Sequence, residues 1–136
     1  MSALIRPAAA EDGDAIKALM ALMGEGMPGI DWSANEPFWL VAEEDGVVTG
    51  CIQVVAALPL GYISNLAVRE DKRMGRLKLR LASEALRALK AYGCQFAFGF
   101  VPFHLQKWRQ ALVKLGVTEG VDGSIFSMDL RGGVDG

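Results

Sequence analysis

At 136 residues, 51% of them hydrophobic and with a formal net charge of −2, the chain has the size of one domain, able to bury roughly two thirds of the surface its unfolded form exposes. It has no global positive field to draw it to nucleic acid or an anionic membrane, and no apolar stretch nears the ~20 residues of a membrane span. Cys51, Cys94 and a single histidine, His104, show no metal-ligand spacing, so no metal is expected and the two cysteines read as buried free thiols.

In chain order, Ala3 to Pro7 is short, apolar and closed by proline, which predicts an opening strand. Ala8 to Glu11 turns, Glu11 and Asp12 suit a helix N-terminus, and Ile16, Leu19, Met20 and Met23 recur at helical spacing up to Gly24. "GEGMPGIDWSANEP" breaks that helix with Gly and Pro and predicts a long loop, of the kind that often carries function. Phe38 to Glu43 and Val47 to Val55 flank Asp45-Gly46, a strong hairpin signal because both central residues of such a turn favour positive φ. A turn through Pro59 leads to a strand from Gly61 to Val68, "GYISNLAV". A helix from about Met74 to Tyr92 follows, stopped by Gly93.

Cys94 to Val101 is continuously apolar, as expected of a central strand covered on both faces. Phe103 to Leu115 predicts a third helix, with Leu105, Trp108, Leu112 and Leu115 on one stripe and Gly116 as its stop; Val117–Thr118 and Ser124 to Leu130 predict closing strands. The expectation is one domain over residues 1–130 with a flexible tail at 131–136. Its class is α/β (α+β), a mixed, mostly antiparallel sheet with helices on both faces.

The stretch "NLAVREDKRMGRLKLRL" passes from strand to helix through a turn holding one glycine, Gly75, and the cations Lys72, Arg73, Arg76, Lys78 and Arg80. Cations at a helix start oppose the helix dipole unless an anion is near, so their concentration there argues for a bound anion. A charge run on a solvated helix face accounts for Arg80 and Arg87 but not for this clustering. There is no GxGxxG after the first strand and no Walker sequence.

The order of elements, together with "LIRPAAAEDGDAIKALM", "WLVAEEDGVVTGCIQV" and "YISNLAVREDKR", resembles the GNAT superfamily of acyl-CoA-dependent N-acyltransferases, over about residues 3 to 130. The resemblance implies a sheet splayed between its fourth and fifth strands, with acetyl-CoA or another acyl-CoA as co-substrate. Pantetheine would pair with the main chain of Leu66, Ala67 and Val68 almost as an added strand, and the thioester carbonyl would sit near the amide of Leu66 or Ala67. The family loop reads Arg or Gln, two variable residues, Gly, one variable residue, then Gly or Ala. Aligned without a gap, Arg73 takes the first position and the small positions fall on Arg76 and Lys78. A one-residue gap instead starts the motif at Lys72, puts Gly75 in place and leaves Leu77 in the second small position. The candidate phosphate residues are therefore Arg73, Met74, Gly75, Arg76, Leu77 and Lys78. Side-chain cations would partly replace the close backbone approach that glycine allows.

The tyrosine that the family commonly uses as general acid falls on Leu112, so the protic candidates are His104, Tyr62 and Ser64. Asn65 stands where many members carry an acidic base; it can orient a substrate or water but cannot take a proton. Glu43 and Glu44, at the hairpin end, read as solvated carboxylates. Asp31, Trp32 and Phe38 would line the acceptor side. The implied function is direct acetyl transfer to a small-molecule or protein amine by a cytoplasmic monomer or homodimer, with no nucleic acid or membrane partner. The alternative is a GNAT-fold module without catalysis that binds a protein or a polyanion.

Overall fold

The computed structural model describes residues 3–22, 38–72, 76–100, 110, 112–114, 116, 118–119 and 125–131. Its elements are β1 (Leu4–Pro7), α1 (Gly13–Ala21), β2 (Phe38–Glu44), β3 (Val47–Ala57), β4 (Leu60–Val68), α2 (Leu77–Tyr92), β5 (Phe96–Phe100), β6 (Thr118–Glu119) and β7 (Ile125–Asp129). The strands form one sheet in the order β1-β2-β3-β4-β5-β7-β6. All neighbours are antiparallel except β4 and β5, which run parallel and are joined through α2. The predicted hairpin is present, with Asp45 at φ 51° and Gly46 at φ 79°. Among the described residues no helix is long and apolar enough to cross a membrane.

Two cores lie on opposite faces of the sheet. Alternation along β3 sends Ile52 and Val54 to one face, where they meet Leu81, Leu86 and Leu89 of α2. Cys51 faces the other way, with Trp39, Val41 and Ala67 against Ile16, Leu19 and Met20 of α1. Leu112 is buried in the α2-side core. α2 begins at Leu77 rather than near Met74 and follows a 3-10 turn at Glu70–Lys72. At its other end Gly93, at φ 115°, closes the helix by donating its N–H to the carbonyls of Leu89 and Lys90.

α2 approaches the sheet closely because two strand positions lack side chains. A Cβ at Gly50 would lie 2.9 Å from Leu81 Cδ1, and one at Gly61 would lie 2.8 Å from both Leu89 methyls and 3.1 Å from Leu89 Cγ. A Cβ at Gly50 would also lie 3.1 Å from Val68 Cγ1 and 3.4 Å from the Ala67 carbonyl oxygen, whereas at Gly61 the close atoms all belong to the end of Leu89, so both glycines are needed for the close approach. On the other face, the Asp12 carboxylate, only 5% exposed, accepts from Ala9 N–H at 2.8 Å and from both terminal nitrogens of Arg6 at 2.8 and 3.1 Å. Arg6 also reaches Glu43 Oε1 at 3.1 Å, so this guanidinium ties the start of α1 to β1 and β2. Glu43 is thus held by an ion pair, not left free in solvent as its place at a hairpin end had suggested.

Two outcomes follow from this packing. Gly61→Ala is expected to cost about 1–3 kcal/mol in urea unfolding, and its loss combined with that of Leu89→Ala should fall short of the sum of the two singles. The Asp12 carboxyl is held below its ordinary range first by the hydrogen bond from Arg6, against the opposing effect of burial, with Ala9 N–H and the Arg6 charge adding to it. Its stabilisation is therefore complete above the unfolded-state value of about 3.9 and is lost as pH falls through the lower folded-state value. Asp12→Asn should lose about 2 kcal/mol at neutral pH and show a shallower acid limb than the parent chain in unfolding measured from about pH 5 to about pH 2.

Candidate active site at the open edge of β4

β4 is paired along its length with β3, but with β5 only from Leu60↔Phe96 to Ile63↔Gly99. Among the described residues, Ser64, Ala67 and Val68 have ladder partners on β3 alone, and Asn65 and Leu66 have none. This is the splay expected between strands four and five. Backbone groups on that edge need water or a ligand to satisfy them.

The β3 ladder shifts register at the same place. Ala67 lies across from Cys51 and Ser64 across from Gln53, so Asn65 and Leu66 together oppose Ile52. The extra residue makes a bulge, and Asn65 takes a left-handed conformation at φ 51°. Beyond the bulge, Arg69 N–H donates to Thr49 C=O at 2.9 Å, and Ala67 N–H is directed at the Cys51 thiol. Main-chain alternation on either side of Ala67, whose own groups face β3, turns the C=O of Leu66 and the N–H and C=O of Val68 to the open edge. Asn65 C=O accepts from Cys51 Sγ at 3.9 Å, so the Leu66 N–H across that trans peptide points away from β3. Of the three residues expected to pair with pantetheine, Leu66 and Val68 therefore present their main chain to the gap, and Ala67 does not. The Cys51 thiol is pushed up to about 12 by burial, offset only in part by Ala67 N–H, so it is no nucleophile at neutral pH.

The bulge also sorts side chains. Ile63 and Leu66 pack toward α2, and both residues between them turn to the other face. There Ser64 Oγ donates to Gln53 Oε1 at 3.2 Å, and Asn65 Nδ2 donates to the same oxygen at 2.7 Å. Tyr62, also on this face, has its ring centroid 5.1 Å from that of Phe98 with the planes tilted by 52°. Phe98 and Phe96 remain 37% and 36% exposed. β5 is therefore covered on its α2 side, where Ala97 is buried, but open on the other, contrary to the two-sided burial its apolar sequence predicts. Arg131 stacks over Phe96 at 4.8 Å.

Tyr62 and Asn65, two of the three catalytic candidates, thus share one face beside the open edge; His104 lies outside the described residues, as do Asp31 and Trp32. Phe38 opens β2 opposite Val54, and Trp39 is a core side chain. Gln53 was not singled out by sequence. The available signal was a lone polar residue inside "GCIQVV" facing the polar pair Ser64-Asn65 inside "YISNLAV", a break in alternation that marks a bulge.

Arg73, Met74 and Gly75 lie outside the described residues. Arg76 stands at the N-cap of α2, where no side chain caps the helix and the first turn holds no acidic residue; Leu77 is buried in the core. Within the cation cluster, two side chains are already engaged by the protein itself. Lys72 Nζ sits 3.2 Å from Glu44 Oε2, and Arg80 donates to Ala3 C=O at 2.9 Å, so both have partners within the chain. Glu44, like Glu43, is paired, and its carboxyl is held below the usual range by the Thr49 hydroxyl first and by Lys72.

The architecture is the GNAT fold, shared with an acetyltransferase of that family from Staphylococcus aureus at a TM-score of 0.76 and 9% identity, over 96% of this chain and 100% of that one. The ribosomal-protein-S18-alanine N-acetyltransferase of Escherichia coli superposes with a TM-score of 0.78 over 98% of this chain and 96% of that one, at 14% identity. The N-acetylglutamate synthase of Neisseria gonorrhoeae, solved with coenzyme A and L-arginine, gives 0.76 at 18% identity over 96% of this chain; the present chain spans only 34% of that protein. yncA from Salmonella typhimurium, solved with its cofactor acetyl-CoA, gives 0.76 at 16% identity over 96% of this chain and 95% of that one. No protein-family model and no curated sequence matches the chain.

The left-handed residue supplies a direct check of the bulge. Asn65→Ala loses the bond to Gln53 and forces a Cβ residue without a compensating amide into that conformation, and should cost roughly 1–2 kcal/mol in urea unfolding. Asn65→Gly, which adopts positive φ freely, should cost under about 1 kcal/mol.

Proposed function

We propose that the chain is an acyl-CoA-dependent N-acetyltransferase acting on an amine, within a single domain over residues 1–130 and in a cytoplasmic setting. The observation that carries this reading is the open edge of β4 at its bulge, where Leu66 and Val68 turn main-chain donors and acceptors into the gap beside β5. Such an edge fits a pantetheine arm, which carries amides of its own and can bond as an added strand. The resemblance to solved acetyltransferases, two of them bound to coenzyme A or acetyl-CoA, supports the same reading.

In this reading the Leu66 N–H donates to the thioester carbonyl and stabilises the charge that grows on its oxygen as the amine attacks. A C–N bond forms, the C–S bond breaks, the amine gives up a proton, and the departing thiolate takes one. Tyr62 and His104 are the candidates for handling those protons, and Asn65 orients the amine through its side-chain carbonyl oxygen. Arg76, at the N-cap of α2, contacts the pyrophosphate together with Arg73, and Met74, Gly75, Leu77 and Lys78 are the other candidates for that contact. Asp31, Trp32 and Phe38 border the acceptor.

A second reading, a GNAT-fold module without catalysis, is favoured by four departures from the family pattern: Arg76 and Lys78 at small positions, Leu112 in the core in place of a tyrosine, and Asn65 in place of a carboxylate. Isothermal titration separates the two. Acetyl-CoA should bind, and Arg73→Ala and Arg76→Ala should each weaken it by about 3–10-fold. No heat at millimolar acetyl-CoA would sink the acyl-transfer reading, and binding to nucleic acid that falls steeply with salt would favour a polyanion module.

A further inference from the structure

We infer that Gln53 is a positioning residue: its amide oxygen locks the β4 bulge and so aims the Leu66 N–H into the gap. The catalytic half of this inference rests on the acyl-transfer reading; the conformational half does not. The sheet itself leaves the bulge underdetermined. β3 and β4 are in ordinary register on both sides of it, at Gln53↔Ser64 and at Cys51↔Ala67, and the surplus residue between them is a non-glycine held at φ 51°. In a regular strand Asn65 would follow Ile63 and face away from Ser64. Instead both side chains reach one acceptor, Gln53 Oε1, at 2.7 Å from Asn65 Nδ2 and 3.2 Å from Ser64 Oγ.

That double bond is possible only when two consecutive residues share a face, so it favours the bulged strand over any regular alternative. Gln53 itself stands on the central strand β3, fixed between Trp39 of β2 and Ser64 of β4, and is a rigid anchor. A glutamate there keeps the acceptor, whereas a leucine of similar length removes it.

The test compares Gln53→Leu with Gln53→Glu in the full chain, by ¹⁵N-resolved spectroscopy and by kinetics. In the parent chain residue 65 should give the strong intraresidue amide–Hα cross-peak of a positive φ. Gln53→Leu should weaken it and Gln53→Glu should keep it, in a chain that stays folded by the same spectra. With acetyl-CoA bound, the Leu66 amide should shift further than with coenzyme A in the parent and in Gln53→Glu, and this extra shift should vanish in Gln53→Leu. With an accepted amine, Gln53→Leu should lower kcat roughly tenfold while KM for acetyl-CoA moves less than about threefold.

An unchanged residue 65 cross-peak in folded Gln53→Leu overturns the inference. So does a changed cross-peak that leaves the Leu66 response to the acetyl group intact. If the parent binds no acetyl-CoA, the acyl-transfer reading fails and takes the catalytic role with it, while the residue 65 cross-peak still decides whether Gln53 holds the bulge.

Discussion

The open edge of β4 is the constraint on which the other features of this molecule depend. A strand inside a sheet normally has both edges satisfied, and leaving main-chain donors and acceptors unpaired beside a core is unfavourable. Among the described residues β4 pairs with β5 from Leu60 to Ile63 and no further, while β3 pairs with it on both sides of the bulge. The cost is tolerable because the α2 face below the open stretch is sealed by side chains. Leu66 and Val68 pack on α2, and α2 itself sits low on the sheet through Gly50 and Gly61. Close seating of the helix keeps the core dry beneath an edge that is free to meet a ligand.

The same economy accounts for the charges. Two cations of the basic stretch from Lys72 to Arg80 have structural work within the chain: Lys72 holds Glu44, and Arg80 holds the carbonyl of Ala3. Both contacts join the start of α2, or the turn before it, to the β1–β2 side of the sheet. A second set, Arg6 with Asp12 and Glu43, joins β1, β2 and the start of α1. Together they brace the first strands around the point where the 3-10 turn leaves β4. Charge clustering at a helix start is therefore a weaker sign of an anion here than it was in the sequence, and Arg76, at an uncapped N-terminus, is the described cation that still fits one.

The scaffold was legible in the sequence because each of its signals is local. Asp45-Gly46 announces its turn, Gly93 its helix end, and the 3.6-residue spacing of Ile16, Leu19 and Met20 its buried face. The family resemblance carried by these pieces implied the splay as well. What the sequence hid depends on pairing between strands. Which of Leu66, Ala67 and Val68 offers its main chain to the gap follows from a register shift opposite Ile52, and one residue's difference in register reverses the answer. Gln53 was hidden for the same reason, since its partners lie 11 and 12 positions away. The open face of β5 was misread because an apolar run cannot by itself tell one covered face from two.

The chemistry at the bulge has a consequence for how acyl transfer would respond to pH. The groups gathered there among the described residues, the Leu66 amide with Gln53, Ser64 and Asn65, are uncharged and carry no proton that leaves near neutrality. Stabilising an oxyanion with a fixed backbone dipole needs no protonation event and little reorganisation. In the proposed acyl transfer, any change of rate with pH would come from the amine, from the group that takes its proton or from the group that protonates the thiolate, and not from the main chain that would hold the carbonyl. With Asn65 rather than a carboxylate at the bulge, the two tasks of the proposed reaction would fall to different groups: the β4 edge would fix geometry at all pH values where the fold holds, and the ionisation of the amine and of the groups that exchange its proton would set when the reaction can start.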